Sequence, residues 1–294
     1  MKVRKAVVLA AGRGTRFLPA TKAQPKEMLP LVDKPLIHYI VEEVVASGIR
    51  EIIIVTALGK HALEDYFDRS WELENALKEK GEEGLLAEVT RISDLADFAY
   101  VRQKEQLGVG HAVLTVKDLV GHEPFALLFP DDIIHASTPC LGQMVDVFDR
   151  FQSSVIAVER VPWEQVERYG VVAPSQVWDR ICQIADLVEK PARAEAPSNL
   201  AIVGRYILTP DIFAALEETP PGKGGEIQLT DGLRLLLQSQ SLYGYEFEGK
   251  RYDAGTPLGL LKASVETALG RADIAEEFRS YLKSLDGPWG ITGN

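Results

Sequence analysis

The chain has 294 residues, 46% hydrophobic and 26% charged, a balance ordinary for a folded globular protein and unlike that of a disordered one. Its 32 Lys and Arg against 43 Asp and Glu leave a formal net charge of −11, which repels a nucleic-acid backbone, so an anionic ligand needs a local basic site or a metal ion. Cys140 and Cys182 are too few for a disulfide framework or a zinc cluster and read as core thiols, no apolar run approaches the ~18–20 residues of a membrane span, and the apolar stretch in "MKVRKAVVLAAGRG" is too short for a secretory signal, which together predict a cytoplasmic protein with neither nucleic acid nor membrane as partner.

In chain order, "KAVVLA" (5–10) predicts a strand, "PLIHYIVEEVVASG" (35–48) a helix, "EIIIVTA" (51–57) a strand, and residues 60–93 a long helical stretch. The alternation, with unbroken apolar strands at 52–55 and in "FALLF" (125–129), predicts an α/β three-layer sandwich built on a mostly parallel, mixed sheet. After about Ser153 the strands become short and frequent: "SVIAVE" (154–159), "YGVVA" (169–173), "ICQIADLVEK" (181–190), "LAIVGRYIL" (200–208) and "LYGYEFEG" (242–249). They extend the sheet and add a small antiparallel ribbon. "PARAEAPSN" (191–199) and "TPPGKGGE" (219–226) are loops and candidate lids. From Leu258 onward two helical segments pack against the body or a second subunit. The expectation is one large domain over 1–257 with a C-terminal helical extension over 258–294.

The first strand runs into "AAGRGTR". A strand-to-helix loop aims consecutive backbone N–H groups at one point, and glycine lets a phosphate approach them closely. The loop is not the dinucleotide fingerprint, because G-x-G-x-x-G needs glycine where Phe17 stands, and it is not a P-loop. Alone it is more often a tight turn. Arg16 and Lys26 downstream, with Pro19 and Pro25 stiffening the segment, turn the reading toward a polyphosphate.

These residues resemble a known family. "LAAGRGTRFLPATKAQPKEMLP" (9–30), "YVRQKEQLGVGHAV" (100–113), "FPDDI" (129–133), "RYGVV" (168–172), "VEKP" (188–191), "PSNLAIVGRYIL" (197–208), "GGEIQLTD" (224–231) and "YDAGTPLG" (252–259) are similar to the sugar-nucleotide pyrophosphorylases, and among them to the bacterial uridylyltransferases acting on glucose 1-phosphate. The resemblance covers nearly the whole chain. It implies a Rossmann-like, glycosyltransferase-A-type nucleotidyltransferase fold, with a nucleotide-binding half at about 1–135 and a sugar-phosphate-binding half at about 136–257. The implied reaction is attack by glucose 1-phosphate on the α-phosphorus of UTP, leaving UDP-glucose and pyrophosphate. Two anions must be aligned and neutralised, with no protein nucleophile.

Carried over by motif, the Ala11, Gly12 and Gly14 amides hold the nucleotide, Arg16 and Lys26 meet its phosphates, and Lys26 matters most in the transition state. Asp131, at the carboxyl end of a strand where open α/β sheets bind ligands, and Asp253 hold Mg2+ with phosphate oxygens and water. Without Asp253, Asp131 would read as a turn former or helix cap, the reading kept here for Asp132. Gln103 pairs with the uracil edge, Gly108 lets the base lie on bare backbone, and Glu27 also faces the base. Gly170 makes room for the sugar ring, Glu189 accepts from glucose hydroxyls, Lys190 neutralises the sugar phosphate, and Asn199, Gly204 and "EIQLTD" border that pocket. Adjacent strand residues face opposite ways, so Glu189 and Lys190 serve one ligand only if the strand ends there, as Pro191 suggests. His111 receives no catalytic role, and the charged run 72–84 reads as a solvated face.

Two rivals share the fold: a thymidylyltransferase using glucose 1-phosphate, and a catalytically silent sugar-nucleotide-binding relative, which would be expected to lack Lys26, Asp131 or Asp253. A Rossmann oxidoreductase fails at Phe17. Relatives of this kind assemble as homodimers or homotetramers.

Overall fold

The computed structural model describes residues 1–285; the last nine positions of the predicted extension lie outside the described residues. The first part of the chain runs β1 (Lys5–Leu9), β2 (Pro30–Leu31), β3 (Lys34–Pro35), α1 (Leu36–Ala46), β4 (Glu51–Thr56), α2 (His61–Phe67), α3 (Trp71–Lys80), α4 (Glu83–Ser93), β5 (Asp97–Arg102), α5 (Val109–Leu114), α6 (Lys117–Val120), β6 (Phe125–Leu128) and β7 (Asp132–His135). The second part adds α7 (Cys140–Phe151), β8 (Val155–Arg160), β9 (Gly170–Trp178), β10 (Ile181–Glu189), β11 (Leu200–Leu208), α8 (Ile212–Glu218), α9 (Leu229–Leu236), β12 (Tyr243–Glu246), β13 (Lys250–Asp253), α10 (Pro257–Gly270) and α11 (Ala275–Ser284).

One nine-stranded mixed sheet takes the order β5-β4-β1-β6-β11-β8-β12-β10-β9. Side chains alternate across a strand, and here the alternation divides the core. Ala6, Val8, Ile52, Ile54, Ala126 and Leu128 pack on one face beneath α1 and α7, whereas Val7, Ile53, Val55, Phe125 and Leu127 pack on the other beneath α5, α8 and α9. Both faces are therefore covered, as unbroken apolar strands require. Cys140 and Cys182 are buried free thiols, and burial pushes both pKa values up. Among the described residues no helix is long and apolar enough to cross a membrane.

The sheet is less parallel than the sequence suggests. Parallel pairing joins β5, β4, β1 and β6, and separately β8 and β12. Between these groups β11 runs antiparallel to both β6 and β8. Every residue of β11 is buried, and an apolar run covered on both faces reads the same in either direction. The predicted 60–93 stretch is three helices, broken at 68–70 and at Gly81, whose left-handed backbone (φ 74°) stops α3. The charged run there is largely exposed except for Glu74, which is buried and held by Arg69.

A separate two-stranded ribbon matters most for the site. Antiparallel β7 and β13 place Asp132 opposite Asp253, so the acids at 131 and 253 arrive at one place from distant parts of the chain.

Candidate active site

β1 ends beside β4, with the Ala10 amide donating to Val55 O (2.8 Å), and the chain then opens into the glycine-containing loop. Among the described residues the N–H groups of Ala11, Gly12 and Gly14 donate to no protein acceptor, and those of Ala11 and Gly12 border an open cavity. Gln106 braces this loop: its Nε2 donates to Ala11 O (2.9 Å) and its Oε1 accepts from Arg13 Nε (2.6 Å). Lys26 lies on a one-turn helix, Lys26–Met28, that begins after Pro25. A cavity of about 370 Å³ is lined by Ala11, Gly12, Arg13, Lys26, Gln103, Gln106, Gly108 and Asp131, among others. At its far wall Gly108 adopts φ 99°, and a Cβ there would lie 2.7 Å from Ile227 O, so only glycine fits. Gln103 Nε2 donates to Gly108 O (3.1 Å) and lies 3.0 Å from His111 Nδ1.

A second cavity, of about 340 Å³, adjoins the first. Phe129, Asp131, Val109 and Glu226 border both. At the seam Lys26 Nζ donates to Asp131 Oδ2 at 2.5 Å. Burial works against the Lys26 ammonium, but the neighbouring Asp131 and Glu27 carboxylates carry its pKa above the ordinary lysine value. Burial likewise opposes the Asp131 carboxylate, and Lys26 overcomes it, so Asp131 titrates below the usual range. Both groups are charged near neutrality. Gly255 turns beneath them: a Cβ there would stand 2.6 Å from Asp131 Oδ2 and 3.0 Å from Asp253 Oδ1. Two carboxylates therefore converge on one bare stretch of backbone.

Asp132 points elsewhere. It accepts from Arg251 Nη1 (2.6 Å) and from the Gly204 amide (2.9 Å), while its carbonyl accepts from the fully buried Arg205 (2.7 Å). Burial pushes its pKa up, against the pull of Arg251. Arg251 also donates to Glu159 (2.7 Å) and Tyr169 Oη (3.1 Å), binding the β7–β13 ribbon to the main sheet.

The second cavity gathers Arg16, Arg168, Gly170, Glu189, Lys190, Gly204, Thr230, Arg251 and Asp253 around its polar rim. Thr230 Oγ1 donates to Glu189 Oε2 (2.7 Å). A Cβ on Gly170 would crowd both groups, at 3.1 Å and 3.2 Å. β10 stops at Glu189, and Lys190 takes a left-handed backbone (φ 46°). The change of direction lets both side chains face one space, with Lys190 Nζ 3.2 Å from Glu189 Oε1.

Three of the residues singled out from the sequence do not line either cavity. The Gly14 carbonyl accepts from Thr21 Oγ1 (2.7 Å) and shapes the loop from behind. Glu27 is 1% exposed and meets Lys60. Asn199 Nδ2 donates to Val161 O (3.0 Å), fastening the start of β11. Conversely, Arg13, Gln106, Arg168 and Arg251 border the cavities without having been singled out, and Glu226 and Thr230 were named only through their segment. Glu226 and Thr230 fall within "EIQLTD", so that segment carried the signal; nothing in the sequence separates Gln106 from Gln103.

Residues 5–269 match the Nucleotidyl transferase family. A UTP–glucose-1-phosphate uridylyltransferase of Bacillus subtilis (strain 168) is 51% identical over 284 residues, 97% of each chain. A crystal structure of a UDP-glucose pyrophosphorylase complexed with UDP-glucose is 47% identical, with a TM-score of 0.83 over 92% of this chain and 100% of that one. A UTP-bound UGPase from Acinetobacter baumannii is 41% identical, with a TM-score of 0.91 over 96% of this chain and 99% of that one. The chain belongs to the nucleotidyl transferase family.

Proposed function

We propose that this chain is an enzyme that joins UTP to glucose 1-phosphate, giving UDP-glucose and releasing pyrophosphate. The observation that carries the reading is the meeting of two cavities at Lys26 and Asp131, one walled by an open amide loop and the other by Glu189, Thr230 and Lys190. UTP takes the first cavity. Its phosphates lie against the Ala11 and Gly12 amides with Lys26 beside them and Arg16 reaching them from the rim of the adjoining cavity, and its base rests on Gly108. Because Gln103 Nε2 already serves Gly108 and His111, its Oε1 is the atom to accept from uracil N3–H. Glucose 1-phosphate takes the second, with Glu189 accepting from ring hydroxyls, Gly170 and Gly204 leaving room, and Lys190 facing the phosphate. The attacking phosphate oxygen is already anionic, so alignment and charge do the work without a general base or a nucleophilic side chain.

The donor set suits Mg2+. Asp131 Oδ2 and Asp253 Oδ1 flank Gly255, and no group of three or more His, Cys, Asp or Glu suited to a metal occurs among the described residues. Two carboxylates completed by substrate oxygens and water is the arrangement this hard ion accepts. Bound there, the ion supplies neutralisation of phosphate charge. Lys26 faces the same phosphates from the loop side, and the Arg251–Asp132 contact keeps β7 and β13, and hence both acids, in register.

We read the architecture as a three-layer sandwich in a cytoplasmic enzyme, with nucleotide work at about 1–135, sugar-phosphate work at about 136–257, and the helices from 258 onward making a homodimer or homotetramer contact. Leu258 and Leu261, each 64% exposed on α10, support the last point; sedimentation of a double Leu→Glu variant as a monomer would agree with it. The test of function is pyrophosphate release from UTP, glucose 1-phosphate and Mg2+, with dTTP in parallel. No release overturns the reading, and faster turnover of dTTP moves it to the thymidylyltransferase.

A further inference from the structure

Lys60 stands at the end of the loop after β4, just before α2, and its side chain is 9% exposed. Lysine is rarely buried unless paired. Its ammonium donates to Ala10 O (2.5 Å) and to Glu27 Oε2 (2.8 Å). Ala10 is where the open loop leaves β1. Glu27 follows Lys26 on the one-turn helix. One cation thus fastens two of the segments that wall the nucleotide cavity, the loop that leaves β1 and the turn that carries Lys26.

The pair is poorly designed for stability alone. Glu27 Oε1 is buried without a partner, a cost that an apolar pair of similar volume would avoid. Burial pushes the Glu27 carboxyl up and the Lys60 amine down, and the 2.8 Å contact opposes both. Among the described residues, the turn that carries Lys26 is held by two short-range backbone bonds, Met28 N to Pro25 O (3.0 Å) and Leu29 N to Lys26 O (3.1 Å). With about three residues per turn, neighbouring side chains there point about 120° apart, so anchoring Glu27 below sets the direction in which Lys26 leaves the backbone.

We propose that Lys60 and Glu27 form a positioning pair that aims Lys26 at the seam between the two cavities and holds the Ala10–Gly14 loop at a fixed distance from it. The inference rests on the reading of Lys26 as the phosphate-facing cation. Neither member of the pair lines either cavity. Without Lys60, Glu27 Oε2 loses its partner and becomes a competitor for the neighbouring Lys26 ammonium.

The test compares Lys60→Met, Glu27→Ala and Glu27→Gln with wild type and with Lys26→Met, measuring kcat for pyrophosphate release and, separately, equilibrium UTP affinity. Lys60→Met and Glu27→Ala are expected to lower kcat tenfold or more while UTP affinity changes less than threefold. Glu27→Gln, which still accepts from Lys60, is expected to stay within about fivefold of wild-type kcat. Wild-type kcat in Lys60→Met, or equal losses in kcat and UTP affinity, overturns the proposal. If Lys60→Met does not fold, the neutral pair Glu27→Gln/Lys60→Met replaces it under the same criteria. Crystal structures of these variants give a readout independent of turnover: Lys26 Nζ should leave hydrogen-bond distance of Asp131, and retention of the wild-type contact overturns the proposal. A Lys26→Met enzyme as active as wild type sinks the reading of Lys26 itself.

Discussion

Lys26 Nζ and Asp131 Oδ2 lie 2.5 Å apart although 105 positions separate them in sequence. The contact sits where the two cavities meet, and it places a fixed positive charge beside a carboxylate that is also a candidate metal ligand. Replacing Lys26 with Met keeps the length of the side chain and removes the charge. A preorganised charge at a developing phosphoryl transition state contributes on the order of 10²–10³ in rate, so kcat is expected to fall by about that factor in a pyrophosphate-release assay. A loss of less than threefold would contradict the role.

Asp131→Asn leaves the shape of the seam and removes one acid of the pair. The variant is expected to lose at least about 10²-fold in turnover at saturating Mg2+ and to require more of the ion for half-maximal rate. Near-normal Mg2+-dependent turnover would refute the assignment. Asp253→Asn is expected to behave alike.

Gly255→Ala tests the convergence of the acids without touching either. The added methyl would stand 2.6 Å from Asp131 Oδ2, closer than a carbon tolerates, so one carboxylate must move. A tenfold or greater loss of kcat is expected with the fold intact by circular dichroism, and wild-type turnover would show that the two acids need not approach each other.

Thr230→Val removes the hydroxyl that donates to Glu189 at 2.7 Å and keeps the volume. Hydrogen bonds to charged groups contribute about 1.5–3 kcal/mol, which corresponds to roughly ten- to hundredfold in kcat/KM for glucose 1-phosphate. UTP affinity is expected to be unchanged. A variant that loses UTP affinity instead would move Thr230 and Glu189 out of the sugar half.

Glu42 gives a pH-dependent stability test away from the cavities. Burial opposes its charge, but His38 and Lys34, each 2.9 Å away, lower its pKa from 4.5 to about 2. A carboxylate depressed by folding stabilises the native state above its unfolded pKa and loses that contribution as pH falls toward the folded one. At full weight the shift corresponds to about 3 kcal/mol, which solvent screening at this partly exposed group reduces to about 1–2 kcal/mol. Urea unfolding of Glu42→Gln should show that deficit at pH 7, shrinking between pH 4.5 and pH 2. A deficit constant with pH would contradict the assignment of the ion pair.

Much of the fold was legible because burial on two faces leaves unbroken apolar runs. β1, β4, β6, β8 and β11 were each marked by one. The direction of β11 was not, since such a run has no polarity. The β7–β13 ribbon escaped because its strands are four residues long and its partners lie far apart in sequence. At the site, the glycine loop and Lys26 carried a local physical reason, whereas Gly170 and Glu189 were singled out through the family resemblance. Glu27 was read toward the base, whereas the structure turns it down to Lys60; a buried lysine looks like any surface lysine in sequence, so the partner that decides the orientation of Glu27 left no mark. Gln106 was hidden for the same reason, because bracing a loop and floating in solvent call for the same side chain.

The account stands on the seam at Lys26, Asp131 and Asp253 being where the two substrates react. The most direct measurement is a crystal structure of the protein with UDP-glucose and Mg2+. The account predicts the diphosphate bridge against Lys26, with the ion between Asp131 and Asp253, uracil on Gly108 and glucose beside Glu189. A diphosphate lying away from Lys26 and both acids would contradict it.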